Sequence, residues 1–236
     1  MIHIFVPCFI DQLYPQTAIN MVTVLRKLEC DVQYNPNQTC CGQPAMNAGF
    51  WDESVEVASK FMEDFSNKKN IVCPSASCVG FVKNQYPSIF EGEFDKMMLD
   101  NFTNAFHEFS DYVFKHCTYK LLQPTLKMKV MYHDSCAALR ECNIKEAPRA
   151  LLQLVEGLEL IENPDTEVCC GFGGTFATKF EPISVAMAQQ KVEQALALGV
   201  EAIVSTDLSC LMHLDGYIQQ QQIELKTMHI ADVLVC

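Results

Sequence analysis

Positive charge is scarce in this chain: 17 Lys and Arg stand against 29 Asp and Glu in 236 residues, a net charge of −12. A surface of that sign repels phosphate backbones and anionic lipid, which argues against nucleic-acid binding and electrostatic membrane attachment. Long apolar runs are missing too. The longest uncharged stretch, Val32 to Trp51, is filled with Asn, Gln, Pro and Gly, and no segment reaches the roughly 20 apolar residues that span a bilayer. Gly and Pro number only 10 each while hydrophobic residues make up 49%, a balance that excludes disorder and fibrous repeats. Met1 to Ile10 lacks a basic leader and a small-residue cleavage site, and Pro7 and Cys8 interrupt its apolar run. It reads as the buried first strand of a cytoplasmic protein. The sequons at Asn37 and Asn101 are then chance matches.

Cysteine is what the chain has in excess, 13 residues in all. An odd number cannot pair fully within one chain, and in a reducing compartment such cysteines point to metal or redox chemistry rather than to a disulfide framework. Their order shows a duplication. In the first half Cys8 is followed after 31 residues by Cys40-Cys41-Gly42, and after 31 more by Cys73, with Cys78 closing the run CPSASC. In the second, Cys136 is followed after 32 residues by Cys169-Cys170-Gly171, and after 39 more by Cys210. The offsets agree: 128 residues from Cys8 to Cys136, 129 from Cys40 to Cys169 and 132 from Cys78 to Cys210. Ser205 stands where the first half has Cys73. A weaker echo pairs Phe109–Val113 with Ile230–Leu234, a short helix closing each half. The boundary is expected near Gln123-Pro124-Thr125, giving repeats 1–124 and 125–236.

The apolar runs Ile2–Val6, Ile71-Val72, Lys129–Tyr132 and Ala202–Val204 read as strands, each leading into a cysteine-bearing loop. Helical periodicity covers Thr17–Leu28, Glu53–Phe65, Pro148–Val155 and Ile183–Leu198, the last stopped by Gly199. Strands alternating with helices predict an α/β fold of two pseudo-symmetric halves built from parallel-strand units. Ligands in such folds gather beyond the carboxyl ends of the strands, where these loops lie.

Thiolate selects zinc, copper(I) or iron–sulfur clusters. Five separated cysteines in the first half exceed what a tetrahedral zinc ion takes, which favours a cluster. Gly42 and Gly171 would let backbone N–H groups approach anionic sulfur. A zinc staple holding the halves together is the alternative. Gly171–Phe176 is not a dinucleotide loop, because it follows cysteines rather than a clean strand and lacks the third glycine. His133, beside Cys136, and His213, after Cys210, are candidates for a nitrogen ligand or a proton relay at the incomplete second site, or for plain hydrogen bonding. Cys30, Cys117, Cys142 and Cys236 lie outside the repeat and are expected to be free thiols.

Two copies of this Cys…Cys-Cys-Gly pattern, together with CCGQPAMNAGF at Cys40, CCGFGGTF at Cys169 and STDLSCLMH at Ser205, resemble the cysteine-rich CCG family. That family includes the cysteine-rich component of heterodisulfide reductase and the iron–sulfur subunits of glycolate oxidase and anaerobic glycerol-3-phosphate dehydrogenase. The likeness covers nearly the whole chain and is strongest to a short lactate-utilisation branch. It implies an iron–sulfur cluster of the 4Fe-4S kind on Cys8, Cys40, Cys41, Cys73 and Cys78, and cofactor or zinc binding by Cys136, Cys169, Cys170 and Cys210. It further implies an electron-transfer role in a complex that oxidises L-lactate to pyruvate, with companion proteins that include a ferredoxin-type iron–sulfur subunit. A heterodisulfide-reductase-like redox protein and a zinc-stabilised interaction module are the other functions compatible with these residues. The chain departs from its longer relatives in having no ferredoxin-type C-x2-C-x2-C-x3-C-P run. Unlike the heterodisulfide reductase component, it closes the first motif with a four-residue gap and leaves the second one thiol short.

Overall fold

Short aliphatic runs become strands, and every strand pairing in the computed structural model, which describes residues 1–236, is parallel. Parallel neighbours need crossover connections, so helices separate the strands along the chain. In the first half β1 (Ile2–Ile4), β2 (Val32–Tyr34), β3 (Ile71–Cys73) and β4 (Phe106–Glu108) form a sheet of order β2-β1-β3-β4. In the second, β5 (Thr125–Tyr132), β6 (Glu156–Ile161), β7 (Ala202–Ser205) and β8 (Lys226–His229) repeat that order as β6-β5-β7-β8. The duplication read from the cysteines is thus a duplication of topology. Backbone register aligns the halves residue by residue. Phe5 N–H donates to Val72 O at 3.0 Å and His133 N–H donates to Val204 O at 2.8 Å, so Phe5 matches His133 and Cys73 matches Ser205.

The first half carries α1 (Cys8–Leu13), α2 (Pro15–Lys27), α3 (Gln43–Ala48), α4 (Trp51–Phe65), α5 (Ala76–Ile89), α6 (Lys96–Asn104) and α7 (Phe109–His116). The second carries a π-helical turn at Ala137–Glu141, then α8 (Glu146–Leu152), α9 (Phe176–Lys179), α10 (Glu181–Ala197), α11 (Leu208–Gln220) and α12 (Ile230–Leu234). Helix α6 has no counterpart. Helix α4 buries Ser54, Ala58, Phe61, Met62 and Phe65, and α10 buries Ser184, Ala188, Lys191, Val192 and Ala195. The spacing is the same, one helical stripe facing the sheet, and it pairs Phe61 with Lys191. Gly199, at φ +65, ends the turn after α10 as expected.

The N-terminal segment departs from its expected form. Its strand ends at Ile4, and a helix begins at Cys8, because Pro7 suits the position before a first helical turn and cannot extend a ladder. The halves exchange their closing helices: α7 packs on α8, and α12 packs on α2. Asp232 of α12 accepts bonds from Thr17 Oγ1 at 3.0 Å and Asn20 Nδ2 at 2.8 Å. One apolar core therefore runs through both halves. A second, aromatic core belongs to the first half alone, where Phe5 meets Phe61 edge-on at 4.7 Å and Phe61 stacks on Phe106 at 5.4 Å. No helix is long and apolar enough to cross a membrane.

Candidate metal centres

Both groups of thiols lie beyond the carboxyl ends of the strands. In the first half Cys8 opens α1, Cys40 and Cys41 sit in the loop after β2, Cys73 ends β3, and Cys78 lies in the first turn of α5. Their thiols form a file in which Cys8 meets Cys40, Cys40 meets Cys41, and Cys41 meets Cys78. Cys73 is close enough to Cys41 to feel its charge. The file runs from solvent inward: Cys8 is exposed, Cys40 half-buried, and Cys41, Cys73 and Cys78 buried. The neighbouring Cys40 thiol, together with burial, pushes the Cys8 pKa up. Burial and the neighbouring Cys41 do the same to Cys73. Thiols crowded in this way cannot all ionise unless a cation joins them, and a metal reverses that balance by taking the thiolates as ligands. All five cysteines singled out in this half are brought together.

The second half repeats the file with four thiols. Cys136 meets Cys169, Cys169 meets Cys170, and Cys170 meets Cys210. The neighbouring Cys136 and Cys170 thiols pull Cys169 below the usual thiol range, with help from the Gly171 N–H, and hold their own protons more tightly. Ser205, in the place of Cys73, donates instead to His133 O at 3.0 Å.

The two histidines weighed from sequence take different roles. His213 hydrogen-bonds with α10, its Nε2 lying 3.1 Å from Ser184 Oγ and 3.2 Å from Ser184 O. His133 is 0% exposed, and neither ring nitrogen has a hydrogen-bond partner. Its donor nitrogen and the sulfurs of Cys170 and Cys210 all lie within 4.8 Å of one another. Burial, and then the nearby Lys191, lower its pKa to about 4, so the ring is neutral and offers a lone pair. Lys191 itself was not foreseen. It is 1% exposed, donates to Asp165 O at 2.6 Å, and lies close enough to Cys169 and Cys170 for their charges to act on it. A lysine within a helical stripe reads as a surface residue, and only the spacing it shares with Phe61 marks it as inward-facing.

One lock holds each Cys-Cys-Gly loop. Gly42 and Gly171 have φ of +93 and +96, and their N–H groups approach Cys40 Sγ and Cys169 Sγ at 3.4 Å. Ser54 Oγ donates to Gly42 O at 3.0 Å, and Ser184 Oγ donates to Gly171 O at 2.8 Å. A Cβ on Gly171 would stand 2.6 Å from Ser184 O, and one on Gly42 would stand 3.0 Å from Ser54 O. Glycine is required there by backbone conformation and by the approach of the helix, as well as by the sulfur contact expected from sequence. Helix α3 also approaches the segment after Gly171, with Asn47 Nδ2 4.0 Å from the position of a Gly174 Cβ.

The duplicated geometry coincides with a family match. The family described as "Cysteine-rich domain" (CCG) matches residues 2–83 and again 130–215. The chain belongs to this CCG family. Curated relatives match over almost their whole length. Lactate utilization protein A of Oceanobacillus iheyensis is 34% identical over 234 residues, covering 99% of this chain and 96% of that protein. The protein of the same name from Halalkalibacterium halodurans is 35% identical over the same shares. Lactate utilization protein A 1 of Bacillus mycoides is 36% identical over 235 residues, again covering 99% and 96%.

The remaining thiols of this CCG chain stand apart from both files. Cys30 and Cys117 face each other, Sγ to Sγ at 3.7 Å, beyond the ends of α2 and α7. Cys142 donates to Ala76 O at 3.5 Å where the halves meet. Cys236 is exposed at the last residue.

Proposed function

We propose that the chain is an iron–sulfur subunit of a cytoplasmic complex that oxidises L-lactate to pyruvate, and that it carries electrons for that reaction. The observation that carries this reading is the file of Cys8, Cys40, Cys41, Cys78 and adjoining Cys73, five soft donors in one place. That number exceeds the needs of a single zinc ion and suits a cluster, here taken as 4Fe-4S. The names of the full-length relatives supply the substrate. Oxidising lactate to pyruvate releases two electrons and two protons, and a bound cluster would supply one-electron storage. The residues around it divide the remaining work. Buried Cys41, Cys73 and Cys78 would hold the inner edge away from water, the Gly42 N–H would offset charge on Cys40, and exposed Cys8 would mark the edge where electrons enter or leave. The protons and the lactate carbon then fall to companion lactate-utilisation proteins, one of them a ferredoxin-type iron–sulfur subunit. Cys136, Cys169, Cys170 and Cys210 hold a second metal, and the missing thiol at Ser205 favours zinc there.

The test is anaerobic reconstitution of the whole protein with iron and sulfide, followed by lactate-dependent reduction with the companion proteins. A visible cluster spectrum that depends on Cys40 and Cys41, and that lactate bleaches, is the expected result. Iron uptake that is indifferent to those cysteines would refute the reading.

A further inference from the structure

We propose that His133 is a metal ligand: with Cys170 and Cys210 it forms a mixed nitrogen–sulfur site that replaces, in the second half, the donor lost where Ser205 stands for Cys73. The inference rests on the reading that both thiol files bind metal, and adds a donor of a different element. Three observations meet at this side chain. Its ring is sealed from solvent, yet both nitrogens lack a hydrogen-bond partner, and a buried polar group left so costs roughly 1–3 kcal/mol. Its donor atom lies within 4.8 Å of the Cys170 and Cys210 sulfurs. Bonds of roughly 2.3 Å to sulfur and 2.0 Å to nitrogen give a tetrahedron about 3.5–3.8 Å on edge, so closing the triad takes a shift of about one ångström. At the matching position the first half has Phe5, packed on Phe61 at 4.7 Å, and there Cys73 supplies the sulfur. The exchange is therefore double: the half that keeps the thiol has a ring without donors, and the half that loses the thiol has an imidazole.

Charge supports the same assignment. Three thiolates and a neutral imidazole around a divalent ion leave a net negative site, which is costly to bury unless a cation sits near it. Lys191, matching Phe61, provides one beside Cys169 and Cys170. The chemistry that fits is a borderline ion taken by sulfur and imidazole together, with zinc first. With His133, Cys170 and Cys210 in place a tetrahedral ion takes one more ligand, which Cys169 or Cys136, nearer solvent, supplies.

The experiment uses full-length protein carrying Cys40→Ser and Cys41→Ser, so that the first half is silenced, beside the wild type. Each is loaded anaerobically with Zn²⁺ alone and with Co²⁺ alone. The silenced protein is expected to retain zinc whose X-ray absorption shows one nitrogen beside the sulfurs, a result that needs no histidine variant. Adding His133→Phe should weaken zinc retention by more than about 100-fold, beyond what loss of an outer-shell partner costs, and should reduce the cobalt signal equally. His213→Phe should leave the nitrogen in place. His133→Phe combined with Ser205→Cys should restore retention with a shell of sulfur alone. A sulfur-only shell in the silenced parent would overturn the assignment. So would a second half that takes no metal while the wild type loads its first half. Failure of the wild type to take up zinc or cobalt at all would instead overturn the reading beneath it.

Discussion

Around Cys41 the first half sets Phe5, Phe61 and Cys73, whereas around Cys170 the second half sets His133, Lys191 and Ser205 at the matching positions. The backbone that carries them is the same. Strand order, the positive φ of Gly42 and Gly171, and the serine that locks each glycine carbonyl recur in both halves. On the proposed reading, the duplication keeps the parts that aim sulfur and varies the parts that decide what sulfur holds. An aromatic wall excludes water and adds no donors. A wall with an imidazole and an ammonium adds one ligand and one compensating charge. The closing helices repeat the contrast: α7 is capped by Glu108, and α12 by His229, which occupies the same register position beside Ser205 that Glu108 occupies beside Cys73.

The sharpest way to break this comparison is to remove one thiol from each file. Cys40→Ser or Cys41→Ser should abolish lactate-dependent electron transfer in a reconstituted complex, because an iron loses its ligand. Cys169→Ser or Cys170→Ser should only diminish it. Equal loss from both halves would show that the second site is no mere brace. The glycine locks should rank next. Gly171→Ala forces a Cβ to within 2.6 Å of a backbone oxygen, against 3.0 Å for Gly42→Ala. With the left-handed conformation added, thermal or urea unfolding should show losses of about 3 kcal/mol or more for the first and about 1–2 kcal/mol for the second.

The two helix caps should respond to pH in opposite senses. Burial raises Glu108 to about 7 from an ordinary 4.5, so its contribution is whole below about 4.5 and is lost as pH rises through 7. The loss is up to about 3 kcal/mol, and Glu108→Gln should remove it. Burial lowers His229 from an ordinary 6.5, so its contribution is present above 6.5 and is lost as pH falls. His229→Gln should flatten the acid side of the profile. Urea denaturation at pH 5 and 8 checks both, and a Glu108→Gln profile parallel to that of the wild type would contradict the first. The smallest effects belong to the thiols outside the files. Cys30→Ser, Cys117→Ser, Cys142→Ser and Cys236→Ser should each leave metal content unchanged, as read by metal analysis of protein matched for circular dichroism.

Much of this was legible in the sequence, and for identifiable reasons. Cysteine spacing exposed the repeat because donor positions are fixed by geometry, and the helices now seen at Pro15–Lys27, Trp51–Phe65 and Glu181–Ala197 followed from their apolar stripes within a few residues. Strands β2, β4, β6 and β8 escaped notice. β2 and β6 are sheet edges with largely exposed residues, and β4 and β8 run directly into helices α7 and α12. The thiols of each file could be named from order alone, but the difference between His133 and His213 could not. Both stand near a cysteine in sequence. Only burial and the count of hydrogen-bond partners separate an imidazole anchored on Ser184 from one that faces two sulfurs with nothing bound to either nitrogen. Lys191 was hidden for the same reason, since a sequence does not say which polar residue of a stripe the fold turns inward.

The claim on which the functional account stands is that the first file holds a cluster, and iron and acid-labile sulfide per chain test it most directly. They are to be measured on full-length protein reconstituted anaerobically, as wild type, Cys41→Ser and Cys142→Ser. The account predicts comparable amounts of iron and sulfide in the wild type and in Cys142→Ser, with loss of most of both in Cys41→Ser. Equal iron and sulfide in Cys41→Ser and Cys142→Ser would contradict it.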